Sequence, residues 1–141
     1  MTTLNLEIAA SSDDALERKS TKEMFTTLND SWFGSFAWTA LNGLRFTGIS
    51  GLSGATIDAA TLEFHSLSTD SGSFGGIWGA EDAENPPTFA ATNGDISNRT
   101  LTPTTCEGDG NDFGNWVSST IHTFTGPSPG IKGIIQELSD N

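Results

Sequence analysis

Residues 43–64, Gly43 to Phe64, read GLRFTGISGLSGATIDAATLEF, and this stretch decides the fold. Leu44 and Phe46 alternate with Arg45 and Thr47, the period of two that turns one face of a strand to a core. Gly48, Ser50, Gly51, Ser53 and Gly54 then break the chain, with Ile49 and Leu52 as plugs between two layers. Ile57, Ala59 or Ala60, Leu62 and Phe64 return as a second apolar run. Strand, glycine-rich loop and strand predict a rigid inner hairpin, with Leu44, Phe46, Leu62 and Phe64 in the core.

Working outward, the 141 residues suffice for one domain with its own core, and a single domain over 1–141 is the expectation. Only 35% of the chain is apolar, 16 residues are Gly, and Ser and Thr are abundant, a mix for short strands and many turns. Four Trp and nine Phe require a packed interior, which excludes a disordered chain. The net charge is −12, from 18 acidic and 6 basic residues. Such a chain repels a phosphate backbone and an anionic membrane surface, so neither nucleic acid nor membrane is an expected partner. Cations and basic protein surfaces are its natural counterparts, and solubility alone is the plain use of the charge. Cys106 is the one cysteine, so no internal disulfide forms. No run approaches the ~20 apolar residues of a membrane span. The opening MTTLNLEIAASSDD lacks the basic and apolar regions of a signal peptide, which predicts synthesis in a host cytoplasm.

Leu4, Leu6 and Ile8 alternate with Asn5 and Glu7 and predict a first strand. Residues 9–20 turn polar and read as an irregular strand rather than a helical turn capped by Ser12. A short strand follows within 23–28. Trp32, Phe33, Phe36 and Trp38 surround Gly34; the even spacing of Trp32, Phe36 and Trp38 lets them share a strand face, as core anchors or as an exposed stacking platform. Beyond the opening stretch, 72–80 gives a strand with Phe74, Ile77 and Trp78. Glu81–Pro87, EDAENPP, is a corner that cannot continue a ladder, and Phe89 plugs the core after it. Asn93-Gly94-Asp95 is a tight turn, residues 96–105 a Thr-rich strand, and 107–115 a glycine-acidic loop. Late strands fall at 116–117 and 121–124. Only the tail reads as helix: Ser128 as N-cap, Pro129 at the first position, then Ile131, Ile134, Ile135 and Leu138 at helical spacing. The fold class is all-β, an antiparallel β-sandwich (jelly roll) with one short C-terminal helix.

The runs LRFTGISGLSGATIDAATLEF, IWGAEDAENPPTF, DISNRTLT and PGIKGIIQEL, over roughly 43–138, resemble jelly-roll domains of bacterial surface proteins and of tailed-phage virions, some labelled DNRLRE-type or carbohydrate-binding modules. The corner of that pattern falls on Gly79, Glu81, Asn85, Pro87, Thr88 and Phe89. The resemblance implies a further strand after the helix, whereas this chain stops at Asn141. The open edge is then covered by the N-terminal strand or by a neighbouring chain through strand addition.

No G-x-S-x-G elbow, H-E-x-x-H, P-loop or G-x-G-x-x-G is present, and His65 and His122 read as ordinary strand positions. Carboxylates cluster at Asp13, Asp14 and Glu17, at Glu81, Asp82 and Glu84, and at Asp109 and Asp112, without a visible cleft for glycosidase chemistry. Asp109, Asn111 and Asp112 in EGDGND are candidate ligands of a structural Ca²⁺, whose hard oxygen donors suit such a loop. The expected function is therefore not enzymatic. It is a structural virion protein of a tailed phage, a capsid decoration (cement) subunit or a small fibre or tail module, homo-oligomeric and bound to capsid or other virion proteins. Trp32, Phe33, Phe36, Leu4, Leu6 and Ile8 are the expected partner-binding residues, since buried aromatics dominate such contacts. The alternative is a carbohydrate-binding module recognising surface glycans, with Trp78 or Trp116 stacking on sugar rings.

Overall fold

The segment DALER, Asp14–Arg18, consists largely of good helix formers, yet in the computed structural model it is β1, the central strand of a three-stranded antiparallel sheet. It has ladder partners on both sides, β2 (Met24–Phe25) and β3 (Ala40–Leu44), and those bonds override local propensity. The structure describes residues 2–27, 39–69, 76–108 and 116–141. The chain divides into two units, one of residues 1–50 and 85–99, the other of 51–84 and 100–141.

In the first unit a 3₁₀ turn, Ser11–Asp13, leads into β1. Ala15, Met24 and Phe89 form a small buried cluster, with Ile96 against it. Ala15 stands opposite Gly43 in the ladder. A Cβ on Gly43 would collide with the Phe89 ring, whose Cε1 lies 2.7 Å from that position. The absence of a side chain at 43 is what admits the ring. Phe89 therefore plugs a core, as its sequence position predicts.

The second unit holds two two-stranded antiparallel sheets, β4 (Leu62–His65) with β7 (Ile121–Phe124) and β5 (Gly76–Glu81) with β6 (Leu101–Gly108). A helix, α1 (Gly130–Asp140), follows. Cys106, Phe124, Ile131 and Ile134 are buried together, and Leu62, Phe64, Trp78, Ala80, Trp116 and Ile135 pack around them. The Trp78 ring lies 5.1 Å from Phe124 and 5.8 Å from Phe64, centroid to centroid. Pro103 sits inside β6 and cannot donate to a ladder. The register shifts there, between Gly79 and Glu81 on β5, so the irregularity falls where the chain has no N–H to give. The neighbouring Thr104 N–H is taken instead by the Glu137 carboxylate of α1, at 2.7 Å.

Among the described residues the fold is strand-rich and antiparallel with one C-terminal helix, as the composition and the spacing of the tail imply. Several local expectations are overturned. The two halves of the opening stretch do not form a hairpin: β3 pairs with β1 and β4 with β7. Gly48, Gly51 and Gly54 hold φ of 73°, 71° and 69°, so the connection passes through the left-handed region at three glycines. Ile49 is exposed rather than a plug. Residues 52–57 are tied to α1: Gly54 N–H donates to the Ser139 carbonyl at 2.7 Å and Ile57 N–H to Gln136 Oε1 at 2.8 Å. Leu4, Leu6 and Ile8 lie in no strand, and Leu4 is exposed; alternation alone makes no strand without a ladder partner. The strand expected at 96–105 begins only at Leu101, because 93–98 coil into turns. Ser128 does not cap α1; the helix starts after Pro129, and Ile131 N–H reaches the Thr125 carbonyl.

Candidate functional site

The carboxylates expected in a first loop are structural. Asp13 is buried and accepts from Arg45 Nη1 at 2.8 Å and from the Thr88 hydroxyl at 3.0 Å. Glu17 lies within β1 and is 0% exposed. Its Oε2 accepts the backbone N–H groups of Ile96 at 3.0 Å and Ser97 at 2.8 Å. Both therefore clamp residues 85–99, a segment without a ladder of its own, onto the Ala15 side of β1. Arg99 completes the clamp: it pairs with Asp95 at 2.9 Å, donates to the Pro87 carbonyl and stands 4.3 Å over the Phe89 ring. Carboxylates engaged in this way are not a pair facing a cleft.

The histidines play separate parts. His65 is exposed on β4, while His122 is buried with its ring 4.3 Å from Trp116. Buried Ser66, which follows β4, donates its hydroxyl to the Val117 carbonyl. Trp78 belongs to the aromatic core and Trp116 packs against it, so both expected sugar-stacking residues serve the interior. Among the described residues no group of three or more His, Cys, Asp or Glu side chains could hold a metal ion. Asp109, Asn111 and Asp112, and likewise Trp32, Phe33 and Phe36, lie outside the described residues. Leu6 and Ile8 are half-buried.

The feature that stands out is the outer face of the β5–β6 sheet. Alternation along β6 is strict: Thr102, Cys106 and Gly108 are buried, while Leu101, Pro103, Thr105 and Glu107 are exposed. On β5, Trp78 and Ala80 turn inward, and Ile77 turns outward at 72% exposure. Leu101 is 53% exposed. Gly79 forms the floor between them: a Cβ there would lie 3.3 Å from Leu101 Cδ1 and 3.5 Å from Thr105 Cγ2. Glu107 stands directly across from Ile77 and Glu81 across from Leu101, with exposed Asp82 and Glu84 beyond. The face is a shallow apolar trough with a carboxylate group at each end. The β4–β7 sheet also shows an exposed apolar residue, Ile121, opposite His65.

Charge is distributed unevenly. Residues 51–84 and 100–141 carry eleven acidic residues and one basic residue, Lys132, a net of −10; residues 1–50 and 85–99 carry seven acidic and five basic, a net of −2. In the first unit, Arg18, Arg45 and Arg99 are each ion-paired. Glu137 is held below the usual carboxylate range, chiefly by a hydrogen bond from the Thr104 hydroxyl; burial pushes the other way and the Thr104 backbone N–H adds to the lowering.

Sequence reading found Ile77 as a strand residue but did not show that it faces outward. The signal available was its place beside Trp78, since neighbours on a strand face opposite ways. Neither family models, curated proteins nor solved structures match this chain, so the jelly-roll resemblance rests on the quoted residues alone.

Proposed function

We propose that the protein is an assembly module of a tailed-phage particle, a decoration subunit or a small fibre or tail component, which acts by binding another virion protein rather than by catalysis. The observation that carries this reading is the outward apolar row on β5–β6, Ile77 with Leu101, on a sheet of two strands among the described residues. Large apolar side chains at such exposure favour a covering surface. Strands present them at fixed spacing, which suits a defined contact. In this reading the small antiparallel sheets belong to a jelly-roll sandwich. The sequence resemblance supports both the fold and the setting.

Mass spectrometry of purified particles tests the proposal. The protein is expected at a fixed ratio to the major capsid or tail protein, retained through density-gradient banding. Its absence from banded particles, while it is present in the infected-cell lysate, sinks the reading.

A further inference from the structure

We infer that the outer face of the β5–β6 sheet takes a cationic protein segment, one that alternates Arg or Lys with apolar side chains. This names the partner chemistry of the assembly reading above and rests on it for biological setting only. The argument is one of charge and shape. The trough floored by Gly79 and walled by Ile77, Leu101 and Thr105 accepts apolar side chains and the aliphatic stems of long basic ones. Glu107 at one end and exposed Asp82 and Glu84 at the other are placed to receive the charged heads. The unit that bears the face has a net of −10 and a single lysine, so it supplies almost no cation of its own. A second copy of the chain would bring the same negative surface against it, and like charge opposes that contact. A basic segment meets both the trough and its rim, and the surrounding field raises its rate of encounter.

The test uses the full chain and three eight-residue peptides: alternating arginine and valine, the same with glutamate for arginine, and the same with serine for valine. Calorimetry at low salt is expected to show binding of the arginine–valine peptide alone, with affinity falling as salt rises because rim charges are screened. Ile77→Ser combined with Leu101→Ser is expected to weaken it by about tenfold or more, as loss of central apolar contacts does. Ile121→Ser, on the other sheet, is expected to leave affinity unchanged. Unaltered urea midpoints for these exposed substitutions establish that the fold is kept. Equal binding by the double variant, or equal binding of the glutamate peptide, overturns the inference. So does a concentration-dependent dimer in light scattering that the double variant abolishes, since a second copy would then own the face. A protein found on particles but indifferent to the arginine–valine peptide defeats this inference and spares the assembly reading. Binding of the peptide by a protein missing from particles does the reverse.

Discussion

The two units use carboxylates in opposite ways. In residues 1–50 and 85–99, Asp13 and Glu17 are buried and spend their oxygens on an arginine, a threonine and two backbone N–H groups. In residues 51–84 and 100–141, an aromatic and aliphatic core beneath α1 does the holding, and acids such as Glu63 and Glu107 stand in solvent. The difference follows from what each unit has to fix. Residues 85–99 form no ladder; the Phe89 and Gly94 N–H groups find backbone carbonyls, and those of Ile96 and Ser97 take the Glu17 carboxylate, because a buried N–H without a partner is costly. The second unit has paired strands and a helix with an apolar face, so acids such as Glu63 and Glu107 can stand at the surface.

The comparison can be broken, and the largest effect is expected at its inward-facing end. Glu17→Ala leaves the Ile96 and Ser97 N–H groups without their acceptor and opens a void; about 3 kcal/mol of stability is expected to go, measured by urea unfolding. Amide exchange at Ile96 and Ser97 should quicken more than at Thr104, and equal quickening would contradict the clamp. Gly43→Ala forces a methyl against the Phe89 ring and is expected to cost about 2 kcal/mol, the range of an overpacked core. An unchanged melt would mean that the ring yields freely.

A smaller effect marks an acid that the second unit does put to structural use. Glu137 has a folded-state pKa below its ordinary 4.5, so the folded state holds the proton less tightly than the unfolded one. Its contribution is therefore full above pH 4.5 and is lost as pH falls through the folded value. Glu137→Gln should flatten that acid limb of a stability–pH curve, and an identical curve would remove the clamp between Thr104 and α1. Least of all, Ile77→Ser should change stability by no more than about 0.5 kcal/mol, because the side chain is exposed. A large loss would place Ile77 in a core and end its candidacy as a contact residue.

The candidate surface was only half legible. Alternation along 101–108 and the pairing of Ile77 with Trp78 are in the sequence, but which of two faces meets α1 is not, since either parity satisfies a period of two. The buried role of Glu17 left no local trace, because its partners lie 79 and 80 positions away.

By itself the sequence determined strand-rich, turn-rich architecture, the C-terminal helix with Ile131, Ile134 and Ile135 inward, the turn at Gly94 and the plug at Phe89. Each depends on local geometry: side-chain period, a glycine's φ, or the size of an aromatic ring. Tertiary structure alone decided that the strands around 43–64 take separate partners, that the strand at 14–18 is the central one of its sheet, and that Ile77 and Leu101 look outward. Those outcomes hang on hydrogen bonds between residues far apart in the chain, and the pattern of a single segment does not encode them.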